Sequence, residues 1–153
     1  MIIPQSNDPQ PNPSAGLRQD VLDYLLARAP ADVAAGQGIN VIGPTYLPVD
    51  VTATIAPTDP AKAGTVEEDA LDALAAFLNP LTGGPGGLGW EVGRGLFVSD
   101  IAAVLGDVSG VDYVQGLALC VNGVLQGDQV QVPSRQIVVA GQFKISLVLP
   151  VGG

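Results

Sequence analysis

The chain has 153 residues, a size that fits one domain, or one domain with an arm, and buries about 70% of its unfolded surface. Hydrophobic residues make up 47% of it, aromatics 5% and charged residues 14%, against roughly 25% charged in ordinary soluble domains. The core is therefore expected to be aliphatic, and part of the outside to lie against partners. The six basic residues, Arg18, Arg28, Lys62, Arg94, Arg135 and Lys144, are scattered among 15 acids for a net charge of −9, which leaves no cation cluster of the kind that neutralises phosphates. A mobility-shift titration with duplex DNA is accordingly expected to show no salt-sensitive complex, and a shift that weakens steeply with salt would reverse this reading.

Residues 1–14 read as an extended arm, or as the connection from an upstream region, because four prolines stand among Asn, Gln and Asp between Ile3 and Ser14. The start, Met1 to Asp8, lacks the basic region and long apolar run of a signal peptide. No stretch approaches the roughly 18 apolar residues of a membrane span. Cytoplasmic synthesis and a soluble product are the expectation. Residues 15–153 read as a single domain.

Leu17, Val21, Tyr24, Leu25 and Arg28 recur at helical spacing between Gly16 and Ala29, with Ser14 as N-cap and Pro30 as the stop. Ala31 to Gly38 is a small-residue loop, and Ile39 to Ile42 a short strand broken by Gly43-Pro44. Val49, Val51, Ala53 and Ile55 alternate with Asp50, Thr52 and Thr54, the signature of a half-buried strand. Thr65-Val-Glu-Glu68 matches a capping box that opens a helix with Leu71, Leu74, Ala75 and Leu78 as its buried stripe. Asn79-Pro80 ends that helix, and a shorter one runs from about Ser99 to Leu105, burying Ile101, Val104 and Leu105. Val111 to Val121 is strand-like and leads into Asn122-Gly123, a strong two-residue hairpin signal. Val124 to Pro133 offers a short return strand with a turn at Gly127-Asp128, and the alternation of Phe143, Ile145, Leu147 and Leu149 gives the last strand. Strands clustered after paired helices predict an α+β fold: a small, mostly antiparallel sheet with helices packed on one face, plus the N-terminal helix and its extended arm.

Chemistry-bearing patterns are few. Histidine is absent, which removes Ser-His and Cys-His nucleophile systems and most zinc sites. Cys120 is the one cysteine, so no intramolecular disulfide can form, and its place in Leu119-Cys-Val121 predicts a buried core thiol. Gly84-Pro-Gly-Gly-Leu-Gly89 has the letters of a dinucleotide-binding loop, but it follows a helix and its proline removes an amide that would cradle phosphate. Glu67, Glu68 and Asp69 are adjacent helical positions that point in different directions, and nothing brings Glu91 and Asp100 to a defined separation. The reading is a non-catalytic chain with no cofactor and no metal.

The segment from Phe77 to Asp100 stands out. A plain flexible linker would be glycine, serine and polar fillers, whereas this one carries Leu88, Trp90, Val92, Leu96 and Phe97 and is expected to be pinned. Trp90 either plugs the domain's own core or anchors an interface, and Arg94 either pairs with Glu91 or reaches a partner, since Trp and Arg dominate interface hot spots.

The order and spacing of several pieces carry a resemblance: Pro13-Ser14 before Val21-Leu-Asp-Tyr-Leu-Leu-Ala-Arg28, then Gly43-Pro-Thr-Tyr-Leu-Pro-Val49. They continue as Phe77-Leu-Asn-Pro-Leu-Thr-Gly-Gly84, Gly89-Trp-Glu-Val-Gly-Arg94, Ser99-Asp-Ile101 and Gly110-Val-Asp-Tyr-Val114. Almost end to end, the chain resembles the C-terminal part of the J-like baseplate wedge proteins of contractile phage tails and related injection systems. The resemblance implies structural work in the inner baseplate ring around the hub. The partners it implies are other copies or a sister wedge subunit, with hub and sheath-initiating proteins, and no nucleic acid or membrane span. It implies assembly in the cytoplasm into a tail or injection-system particle, and a larger upstream region outside this chain. The residues expected to meet partners are Trp90, Glu91, Arg94, Tyr46 and Leu88. The competing reading is a small-molecule-sensing or binding α+β module without catalysis.

Overall fold

Ser14 opens the first helix, as its position before the apolar repeat predicts: its Oγ accepts the Leu17 N–H at 3.1 Å and satisfies one of the orphan amides of helix α1 (Ala15–Leu26). The computed structural model describes residues 2–6, 8–31 and 41–148. It divides into two units, Met1–Thr45 and Tyr46–Gly153, so α1 groups with the arm that precedes it, whereas the sequence reading drew its boundary after residue 14.

In the first unit the Ile2 N–H donates to the Ile42 carbonyl at 3.0 Å. No residue of α1 is buried, and Leu17, Tyr24 and Leu25 of its apolar stripe stand exposed. The Arg28 guanidinium lies 3.7 Å over the Tyr24 ring, which covers one face of that ring with a cation. Of the expected strand Ile39–Ile42, Val41 and Ile42 lie in no strand, and the rest falls outside the described residues, as does nearly all of the expected loop Ala31–Gly38.

The second unit is an α+β fold. Its sheet is built from β1 (Thr45–Pro57), β3 (Val111–Val121), β4 (Val124–Leu125) and β6 (Gln136–Leu147), in the order β4-β3-β1-β6. A second, two-stranded ribbon pairs β2 (Leu96–Phe97) with β5 (Gln129–Val130). β1 pairs antiparallel with β3, and β3 with β4. β6 runs parallel to β1: the Gln142 N–H reaches Asp50 Oδ1 at 2.8 Å, and six residues on the Val148 N–H reaches the Ile55 carbonyl at 2.8 Å. The sheet is thus mixed, with antiparallel pairs in the majority.

Val49, Val51, Ala53 and Ile55 are buried in β1 while Thr52 is exposed, the alternation expected of a strand with one face on the core. The alternation breaks at Ile55, Ala56 and Pro57, all buried, because the register with β3 shifts after Thr54 and again after Ala56 and such a shift re-aims the side chains. Asn122 at φ 52° and Gly123 at φ 79° close the β3–β4 hairpin, the conformation that the Asn-Gly pair favours.

Helix α2 (Ala63–Phe77) packs on β6, helix α3 (Val98–Gly106) packs on β3, and the two helices touch each other. The start of α2 corrects the sequence reading. Thr65 lies inside the helix, not at its cap; a 3-10 turn, Pro60–Lys62, leads in, and Asp59 Oδ1 accepts the Ala61 N–H at 3.0 Å. The Asp59-Pro60 pair caps that 3-10 turn and presets its φ, so the chain is already helical when it reaches Thr65, six residues after Asp59. The buried stripe also differs from the expected one: Val66, Ala70, Leu74 and Leu78 are buried, Leu71 is half-buried and Ala75 is exposed. In α3, Ile101 and Leu105 are buried and Val104 is half-buried. In β6 the buried residues are Ile137, Val138 and Val139, with Phe143, Ile145 and Leu147 only half-buried and Leu149 outside the described residues. Three consecutive buried positions mean that both faces of β6 are covered at its start, and such a run has no alternation to read.

Cys120 is half-buried rather than a core thiol. The register explains it: Leu119 sits opposite Val51, and Cys120 opposite Asp50, so the thiol faces away from the packed side.

Candidate functional site

The chain leaves α2 at Phe77 and winds through a loop that its own hydrogen bonds hold closed. Asn79 Oδ1 accepts the Leu81 and Thr82 amides at 2.8 and 3.1 Å, a side-chain-closed turn typical of Asn. The Gly84 N–H donates to the Phe77 carbonyl at 2.8 Å, the Gly89 N–H to Gly83 at 2.9 Å, and the Trp90 N–H to Pro80 at 3.0 Å. Trp90 turns its ring back under the loop, where its Nε1–H donates to the same Phe77 carbonyl at 2.8 Å. That carbonyl belongs to the end of α2, where no helical amide remains to meet it. The Trp90 and Phe77 rings meet edge-on, with centroids 5.4 Å apart and planes at 83°, the arrangement that the ring quadrupoles favour.

Trp90 is 5% exposed, so of its two possible roles the core plug is the one its surroundings fulfil. Leu88 stands at the loop tip, 91% exposed. Glu91 and Arg94 are exposed; the Arg94 N–H donates to the Glu91 carbonyl at 3.2 Å, but among the described residues the guanidinium makes no ion pair. Tyr46 lies at the start of β1, half-buried, on a different element. The loop therefore brings Leu88, Trp90, Glu91 and Arg94 together, one as the root and the others on the surface. Val92 and Phe97 are exposed, and Leu96 is buried on the β2–β5 ribbon.

Gly83, Gly84 and Gly89 are positions where the loop has no room for a side chain, and Gly84 and Gly89 combine this with a left-handed backbone. At Gly89 φ is +99°, and a Cβ there would meet the Pro80 carbonyl oxygen at 2.8 Å, so a side chain is opposed twice over. Gly89→Ala is expected to cost about 1–3 kcal/mol in urea unfolding, whereas Gly86→Ala, which meets nothing within 4 Å, should stay within about 0.5 kcal/mol. Equal effects at the two sites would mean that the loop is not rigid.

The second feature escaped the sequence reading. Between α2 and α3 lies an open trough of about 440 Å³ with Ala73, Phe77, Val104 and Val108 along its floor and Asp69, Asp107 and Ser109 on its rim. A hollow of about 310 Å³ shares Phe77, Val104 and Asp107 and continues to Asp100, Ala103 and the loop residues Gly84 and Pro85. Asp100 Oδ2 also accepts the Phe97 N–H at 3.1 Å and so braces the first turn of α3. Asp69, Ala73 and Phe77 stand at spacing four in the sequence, but the larger apolar residues Leu71, Leu74 and Leu78 outweigh them as a sign of where α2 makes contact.

Among the described residues no group of three or more His, Cys, Asp or Glu is placed to hold a metal. No helix of the described residues is long and apolar enough to cross a membrane. No protein-family model matches this chain, and no curated protein matches it. The arrangement itself can present apolar side chains on a braced backbone and offer an acid-rimmed trough, and both are means of contact between proteins.

Proposed function

We propose that this chain is a structural baseplate component of a contractile tail or injection system, building the inner ring around the hub by subunit–subunit contacts. The observation that carries the reading is the loop from Phe77 to Arg94. The two most distinctive pieces of the J-like resemblance, Phe77–Gly84 and Gly89–Arg94, form one hydrogen-bonded unit rooted on Trp90, and that unit holds Leu88 out at 91% exposure. A braced loop that holds a leucine bare at its tip buries that side chain only when a partner covers it. Phe97, Val124 and Leu125 add exposed apolar surface at 45%, 62% and 66%, in a chain with only 14% charged residues. The partners in this reading are other copies or a sister wedge subunit, with hub and sheath-initiating proteins, and the role is non-catalytic.

The test is co-expression with the products of the neighbouring genes, followed by electron microscopy of the purified complex. Rings or wedge assemblies containing the chain are the expected result. Neighbours that encode no sheath, tube or spike protein, together with a chain that stays monomeric, would overturn the proposal. The alternative, a small-molecule-binding module, draws on the size of the trough, about 440 Å³, within the range of about 300–1,000 Å³ common to ligand pockets. A melting temperature raised by metabolite-sized ligands would favour it.

A further inference from the structure

The trough between α2 and α3 is a second candidate contact surface beside the loop tip at Leu88. Its floor, Ala73, Phe77 and Val104, is apolar and half-buried, and its rim carries three carboxylates, Asp69, Asp100 and Asp107. No basic residue lines either part of it, and among the described residues none of the three carboxylates is in an ion pair. Asp69 flanks the larger part, Asp100 the smaller and Asp107 both, so the negative charge runs along the apolar strip rather than collecting at one point. In a chain with 14% charged residues, three acids bordering one apolar strip make a composed surface: an apolar floor for burial and a one-signed rim for register and approach.

We infer that this trough docks a short amphipathic helix of a partner protein whose apolar stripe is edged by Lys or Arg. A helix laid in a groove between two others seats residues at spacings of three, four and seven along the floor, and its flanking cations then fall over the rim carboxylates. The open side and shared floor of the two hollows suit a rod-like occupant, whereas a small ligand needs most of its surface enclosed. The carboxylates set specificity: an acid-edged helix would face like charges across the whole contact. This surface stands apart from the baseplate reading, which it neither needs nor supports.

The test uses the whole chain and three synthetic peptides of about 14 residues, a length that gives about four helical turns. One has a Leu/Ala stripe edged by Lys, one has Glu in place of each Lys, and one has the Lys composition scrambled so that no stripe forms. In fluorescence anisotropy the Lys-edged peptide is expected to bind, and the other two to bind at least about tenfold more weakly. Val104→Arg, which puts a cation on the floor, should weaken binding by about tenfold or more. Because Val104 is half-buried, the double change Asp69→Lys with Asp107→Lys, at exposed positions, provides a second variant that leaves the fold alone. It should weaken binding by a similar factor and flatten its salt dependence. Asp112→Lys, an exposed carboxylate on β3 outside the trough, should change affinity less than about twofold. Equal binding of the scrambled peptide, or equal loss with Asp112→Lys, would reduce the effect to the net charge of −9 and overturn the inference. Self-association broken by Val104→Arg would make a second copy the occupant, and binding of a small molecule that displaces the peptide would make the trough a ligand pocket. Either result overturns the inference as stated.

Discussion

Replacing Trp90 by alanine is expected to destabilise the second unit by about 3–5 kcal/mol, the range for removing a buried aromatic, and to lower its melting temperature by on the order of 10 °C. Three losses coincide at this side chain. The cavity left under the loop removes the edge-on contact with Phe77, whose centroid lies 5.4 Å away. The Phe77 carbonyl loses the indole donor at 2.8 Å. The loop loses the weight that holds its hydrogen bonds closed. Trp90→Phe separates these effects: it restores most of the volume but not the donor, so about 1–2 kcal/mol of the loss should remain. If Trp90→Ala leaves urea unfolding unchanged, the loop does not depend on its root and the site as drawn is wrong.

Leu88→Asp should do the reverse. At 91% exposure the leucine contributes almost nothing to folding, so the melting curve should move by no more than about 0.5 kcal/mol. A charge at the centre of a desolvated contact, by contrast, is costly: association should weaken by about 2 kcal/mol or more if Leu88 is a central anchor. Sedimentation velocity of the chain alone, and with its co-expressed partners, reads this directly. Association that survives the substitution would remove the loop tip from the interface. The pair of variants is informative together, because Trp90→Ala acts on folding through the loop's root and Leu88→Asp on assembly through its tip.

Several elements were legible before any coordinates because local chemistry alone decides them. Ser14 before an apolar repeat, the strict alternation from Val49 to Ile55, Asn79-Pro80 at a helix end and Asn122-Gly123 between strands each act through their own backbone or nearest neighbours. Glycines around a tryptophan likewise marked a pinned loop, since a flexible linker has no use for a large apolar ring. What the residues by themselves determined is thus the α+β element order, the aliphatic core and the special standing of the segment around Trp90.

Tertiary structure decided the rest, for reasons of competition and of cover. Thr65 has the letters of a helix cap, but the 3-10 turn Pro60–Lys62 leads into α2 ahead of it, and only the packing of α2 beside α3 makes Ala73 and Phe77 border the trough. The run from Ile137 to Val139 became the buried part of β6 only because both of its faces are covered, and a period of two cannot signal that. Register set Cys120 beside Asp50 and away from the core. Whether Leu88 or Trp90 would be the exposed residue could not be read from composition, since both are large and apolar; the indole turns inward, where the Phe77 carbonyl accepts its N–H and the Phe77 ring meets it edge-on, and the leucine is left outside. Burial depends on which distant surface arrives opposite a residue, and that is settled by packing rather than by the neighbours along the chain.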